Sequence, residues 1–295
     1  MTRTFFVFML ALSAACSSRK IDQDELAHDF LPGQRLAELK DPRLTEVSGL
    51  ASSAANPGYL WAHNDSGNPN EIFLIDEKLD IKLTCTLGMV ENRDWEDIAV
   101  GPGPDPKKSY IYLGEIGDNE AKYPHKYIYR FEEPKFKKGD TTQTIVSFDT
   151  ITFSLAGKQK DTETLMLDPR TKDLYVISKR EQPVFIYRLK YPYSTHDTLT
   201  AEEVGSLPLT QIVAGDFSVD GREILMKAYN FVYYWTIPPG QTVLEALKQK
   251  PEELPYEKEP QGESITWARN GSGYYTTSEL NKGKKSFLIF YSRKK

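Results

Sequence analysis

Only two cysteines, Cys16 and Cys85, occur in 295 residues. A disulfide framework is therefore excluded as the main stabilising device, and so is a cysteine-ligated metal centre. Histidine is almost as scarce. Its four copies, His28, His63, His125 and His196, are scattered along the chain, which argues against a zinc-type His pair and against histidine-centred catalysis. A Gly-x-Ser-x-Gly elbow and a phosphate-binding Gly-Lys-Ser/Thr loop are both missing, so serine-esterase and P-loop chemistries lack their motifs. After the first fifteen residues no apolar run approaches the roughly 20 residues of a membrane span. Lysine and arginine number 37 against 42 acids, a formal net charge of −5. Nucleic acid is thus not an expected partner, because phosphate contacts need clustered cations. The one basic run, Lys135-Phe136-Lys137-Lys138, reads as a solvated loop. Helical periodicity is also lacking, apart from a hint of a turn at Val243 to Lys250.

What is present begins with an export signal. Arg3 precedes an apolar run from Phe5 to Leu12, and Ser13, Ala14 and Ala15 lead into Cys16; the run is too short to remain as a membrane helix. The placement of Cys16 resembles a bacterial lipobox, with Ser13 where that pattern usually has Leu. The resemblance implies cleavage of residues 1–15, acylation of Cys16 by palmitate-like chains and a durable membrane anchor, since each buried methylene contributes roughly 0.8 kcal/mol. Ser17 is not Asp, which in such proteins is compatible with the outer membrane as destination. Residues 16–33 then form the lipidated cysteine and a tether, and residues 34–295 the folded domain. With Cys16 acylated, Cys85 has no partner and is expected in a buried strand.

Five segments start with an acid and run into an apolar strand, at Glu46, Glu96, Glu163, Asp216 and Glu263, with spacings of 50, 67, 53 and 47 residues. Such periods suit four-stranded propeller blades. After each comes a turn and a second strand (Tyr59 to His63, Ser109 to Gly114, Asp173 to Ser178, Glu223 to Lys227, Gly273 to Thr277), then a third rich in aromatic and β-branched residues. Fourth strands are visible at Ile81 to Leu87, Ile145 to Leu155 and Leu199 to Leu207, faint near Tyr256, and lacking after Tyr291. The expectation is an all-β, five-bladed β-propeller whose last blade is completed by Gln34 to Lys40, because an unpaired edge there would be exposed. The extra length between the second and third acidic positions is taken up by a loop near Glu132 to Thr144; a concealed sixth blade is the alternative.

Strand direction brings the acidic starts and the ends of the second strands to one face. There Glu46, Glu96, Glu163, Asp216 and Glu263 would form a ring, with His63, Asp65, Asp118, Lys179, Arg180 and Lys227 as ligand-binding candidates around it. Two carboxylates about 6 Å apart repel by roughly 3 kcal/mol at an effective dielectric near 20. The ring therefore needs protons, neighbouring cationic side chains or a bound ion. Oxygen donors without a Cys or His cluster suit a hard cation such as Ca²⁺; a plain water-filled channel is the competing expectation.

The stretches Asn64-Asp65-Ser66-Gly67, Trp95-Glu96-Asp97-Ile98-Ala99, Gly117-Asp118-Asn119 and Asp161-Thr162-Glu163-Thr164-Leu165 resemble a group of secreted bacterial propellers related to phytase-like esterase domains. The likeness spans roughly residues 41 to 292 and implies a propeller. A more distant resemblance is to the calcium-activated nucleotidases, which hold Ca²⁺ in the channel through Glu and Ser at the inner-strand starts. It implies comparable places for Glu46 or Ser48, Glu96, Glu163, Ser218 and Glu263, with Lys179, Arg180 and Lys227 toward phosphate. Two functions follow as expectations: a membrane-anchored module binding a small anionic ligand or a protein partner, or a Ca²⁺-dependent hydrolase of phosphate esters or nucleotides.

Overall fold

The computed structural model describes residues 29–280 and 283–294; the expected anchor at Cys16, the expected cleavage point and the expected tether up to residue 28 lie outside the described residues. The chain opens with β1 (Gln34–Glu38), then forms β2 (Val47–Ser52), β3 (Leu60–Asn64), β4 (Glu71–Ile75) and β5 (Ile81–Leu87) as a first antiparallel blade. The second holds β6 (Trp95–Pro102), β7 (Ser109–Glu115) and β8 (Lys126–Glu132). The chain then visits the outer edge of the first blade as β9 (Thr142–Ile145), parallel to β5, before returning as β10 (Asp149–Leu155). Next come β11 (Thr162–Leu167), β12 (Leu174–Ser178), β13 (Val184–Leu189) and β14 (Leu199–Leu207), followed by β15 (Ile212–Phe217), β16 (Glu223–Ala228), β17 (Phe231–Thr236), helix α1 (Val243–Leu247) and β18 (Glu252–Leu254). The last blade is β19 (Ser264–Trp267), β20 (Gly273–Thr277) and β21 (Phe287–Ser292), with β1 hydrogen-bonded to β21 as its fourth strand.

The innermost strands β2, β6, β11, β15 and β19 touch in a closed cycle. The protein is a β-propeller, and the described strands make five four-stranded blades plus β9. Its apolar interior is divided accordingly. Five clusters of buried side chains each lie between two neighbouring blades, for example Trp61 with Trp95 and Ile98 between the first two, and Leu225 with Trp267 and Tyr274 between the last two. Each blade thus buries both faces, which is why its strands read as nearly continuous apolar runs.

Two features modify the sequence reading. The strand expected over Ile145 to Leu155 is divided between two blades as β9 and β10, so the long insertion is an outer cross-brace. Its companion is a parallel pairing of β10 with β14 that fuses the second and third blades into one eight-stranded sheet. The packed domain also starts earlier than Gln34: Phe30 is buried against Tyr234, Trp267 and Tyr274, and Leu31 N donates to Ser292 O at 2.8 Å. Cys85 is buried on β5, where burial pushes its thiol up to about 12. No helix among the described residues is long and apolar enough to cross a membrane.

Hydrogen bonds between inner strands seal the ring. Asp97, fully buried, accepts from Leu165 N at 2.9 Å and Gly215 N at 3.3 Å, so one carboxylate joins three blades. Ser52 Oγ donates to Trp267 O at 2.5 Å across the closing interface.

Candidate functional site

Near its start, each of β2, β6, β11 and β15 carries a bulge against its neighbour, leaving Ser48, Glu96, Glu163 and Val213 out of the ladder. In the last blade the β19 ladder begins at Ser264 opposite Thr277, so Glu263 stands at the same place one residue earlier. A bulge leaves one residue unpaired and re-aims its side chain. Here four such bulges, with the matching position before β19, gather Glu96, Glu163 and Glu263: Lys179 Nζ contacts Glu163 and lies 3.9 Å from Glu263, and Glu96 feels the charge of Glu163.

Two members of the expected ring are elsewhere. Asp216 lies three residues beyond the bulge of β15, because that strand begins at Ile212; Val213, equidistant in sequence from Glu163 and Glu263, takes the ring position. The Asp216 carboxylate instead accepts from Thr266 Oγ1 at 2.8 Å and Trp267 N at 2.9 Å, toward the far end of the channel. Glu46 precedes β2 and is exposed, accepting from Asn68 Nδ2 at 2.5 Å. Its expected ring place belongs to Ser48, whose Oγ donates to Glu96 O at 2.6 Å.

A second tier of acids completes the mouth. Carboxylate oxygens of Asp65, Asp94 and Glu96 lie within 4.8 Å of one another, and so do those of Glu96, Asp161 and Glu163, with Glu96 common to both groups. Asp94 and Asp161 were not singled out from the sequence. Their signal is an acid two residues before the bulge, in Asp94-Trp95-Glu96 and Asp161-Thr162-Glu163, and Glu46 before Ser48 has the same offset. Asp94 is held by its own N–H donating to Glu115 at 2.8 Å, and Asp65 by Asn92 Nδ2 donating to its carbonyl at 2.8 Å. Gly117 has no room for a side chain: a Cβ there would stand 2.2 Å from Glu96 Oε1 and 2.4 Å from Asp94 Cγ. The glycine of Gly117-Asp118-Asn119 therefore lets the backbone close over the acids.

Burial drives Asp65, Asp94, Glu96, Glu163 and Glu279 toward their protonated forms. Burial, then the charge of Glu163, raises Glu96 well above the ordinary carboxylate range. Burial takes Asp65 up to about 6 and Glu163 up to about 8, with Lys179 opposing the latter. Glu279 is pushed up to about 9 by burial and then by Glu263 beside it. Glu96 is 5% exposed, and no side chain or backbone group among the described residues donates a hydrogen bond to its carboxylate.

The remaining sequence candidates occupy defined positions. Lys179, nearly buried, is ion-paired with Glu163; burial alone would lower it, but Glu163 and Tyr229 hold it above the ordinary lysine range. Arg180 is half-exposed, with Nε 2.7 Å from Asp161 Oδ2 and Nη2 donating to Asn119. Asp118 is fully buried and accepts from Lys122 N and Tyr123 N, both at 2.8 Å, while its own N–H donates to Asp161 at 3.0 Å. It shapes the loop that carries the site. Lys227 is fully buried behind the ring, donating to Gly262 O at 2.5 Å and Tyr256 Oη at 2.8 Å, and burial brings it down to about 8. It has no path to a phosphate in the mouth. His63 is also fully buried, edge-on to Trp95 at 6.0 Å and filling the space left by Gly49; burial lowers it to about 4.

No family model matches the chain, and no curated protein matches it. Among solved structures, a chain of Kuenenia stuttgartiensis hydrazine synthase is similar at a TM-score of 0.45 and 11% identity, covering 87% of this chain and 97% of that one. A likeness of that size carries no argument about function.

Proposed function

We propose that the protein is an exported, lipid-anchored propeller that holds a divalent cation, Ca²⁺ by its donor chemistry, at the carboxylate mouth and presents that face to a ligand or protein partner. The observation that carries this reading is Glu96: a buried carboxylate without a hydrogen-bond donor, shared by two groups of acids. Oxygens within 4.8 Å of one another match the span across an ion whose ligands sit at about 2.3–2.6 Å. At about that separation, two ionised carboxylates repel by roughly 3 kcal/mol at an effective dielectric near 20. Lys179, Arg180, Lys126 and Arg93 offset only part of this, since Asp65, Asp94, Glu96, Asp161, Glu163, Glu263 and Glu279 outnumber them. Asp65, Asp94, Glu96, Asp161 and Glu163 would hold the ion. Thermal unfolding with and without chelator tests the reading. A lower Tm in chelator, restored by Ca²⁺, is expected, and an unchanged Tm contradicts it.

A second reading, a Ca²⁺-dependent phosphohydrolase, rests on Arg180, the half-exposed cation at the mouth. The bound ion would polarise a phosphoryl oxygen, and Arg180 would release Asp161 to meet the phosphate. Turnover of a nucleotide and phosphate-ester panel that requires Ca²⁺ and falls at least about tenfold in Arg180→Gln would favour hydrolysis. No turnover by folded, Ca²⁺-loaded protein leaves the binding module.

A further inference from the structure

The other end of the channel holds a separate cavity. The C-terminal ends of all five inner strands converge there around about 220 Å³ of space, including Ser52, Val100, Leu167, Asp216, Thr266 and the following Arg269. That volume equals about seven waters at roughly 30 Å³ each. Its wall is of two kinds. Val100, Leu167 and Phe217 give an apolar side; Asp216 is the one acid, and of the two bases Lys108 is ion-paired with Glu132 at 2.6 Å, which leaves Arg269.

The charged pair is unusual in being held apart. One oxygen of Asp216, Oδ2, is fixed by Thr266 Oγ1 and Trp267 N, at 2.8 and 2.9 Å, so its position does not depend on Arg269. Arg269 lowers the Asp216 carboxyl electrostatically against the larger effect of burial, which leaves it at about 6. Yet the two make no ion pair, and Arg269 has no hydrogen bond or ion pair with any described residue. A guanidinium presents planar donors that fit a carboxylate in bidentate fashion, while the remaining oxygen of a fixed carboxylate suits an ammonium.

We infer that this cavity is a binding site for a small zwitterion, an α-amino acid with an apolar side chain. Its carboxylate meets Arg269, its ammonium meets Asp216, and its side chain lies along Val100, Leu167 and Phe217. The site is independent of the carboxylate mouth, which lies at the opposite ends of the same strands.

Calorimetric titration of the folded protein with L-leucine, isopentylamine and 4-methylpentanoate tests this. Leucine should bind, and each half-analogue, lacking one charge, should bind at least about tenfold more weakly. Arg269→Gln and Asp216→Asn should each weaken leucine binding by a similar factor. Arg269→Gln removes no internal hydrogen bond and so keeps the comparison open if Asp216→Asn fails to fold. No leucine binding in the millimolar range, half-analogues that bind as tightly as leucine, or an unaltered Arg269→Gln would each overturn the assignment.

Discussion

At the scale of single residues, the molecule separates polar groups that hold the fold from those left unsatisfied. Asp97, Asp118 and Lys227 are buried with their hydrogen bonds made; Glu96 is buried with none received. His63 is buried with Nδ1 partnered by Asn64 O at 3.0 Å and Nε2 without a partner, and its burial has a consequence for stability in acid. Its folded-state value near 4 lies below the unfolded value of about 6.5. Between those limits the unfolded chain takes up a proton that the native state refuses, so stability falls as pH falls, by roughly 3 kcal/mol once pH is near 4. Denaturant unfolding at pH 7 and pH 4 should show this loss in wild type relative to His63→Gln. Parallel pH profiles for the two proteins would show that His63 does not titrate in this way.

At the scale of elements, closure of the ring depends on the segment from Asp29 to Glu38. Phe30 fills the interface between the last two blades and β1 covers the edge of β21. Removing residues 17–28 should leave Tm unchanged. Starting the chain at Gln34, and so deleting Phe30, should cost about 3–5 kcal/mol, as for a buried phenylalanine, and starting at Asp41 should also expose an edge strand and promote aggregation. Equal Tm values for the three truncations would contradict the closure. Strands and their order were legible in the sequence because every blade repeats apolar runs between turn residues. Register was not. Acid spacing aligns the ring on Asp216, the one acid in its inner strand, whereas the bulge selects Val213; a one-residue insertion in a ladder leaves no mark in the hydrophobic pattern. For the same reason Asp94 and Asp161 were legible only once the bulge fixed their offset. The division of Ile145 to Leu155 between two blades was hidden because both halves have strand character.

At the scale of the whole molecule, the propeller has two unlike channel ends. One gathers acids at the inner-strand starts, and the other pairs an acid with a free arginine beside an apolar wall. Five interblade cores fix the distance between those ends and keep like charges together that would separate in a softer scaffold. A ligand that binds only the native state adds RT ln(1 + [L]/Kd), about 2.7 kcal/mol at a hundredfold excess over Kd. A cation at the mouth thus turns local repulsion into global stability. The most direct measurement is calorimetric titration of chelator-stripped protein with Ca²⁺, beside Glu96→Gln. Wild type should bind saturably, and Glu96→Gln should lose at least about tenfold in affinity while being at least as stable as wild type without calcium. Absence of Ca²⁺ binding to folded wild-type protein, or unaltered binding by Glu96→Gln, would contradict the cation site.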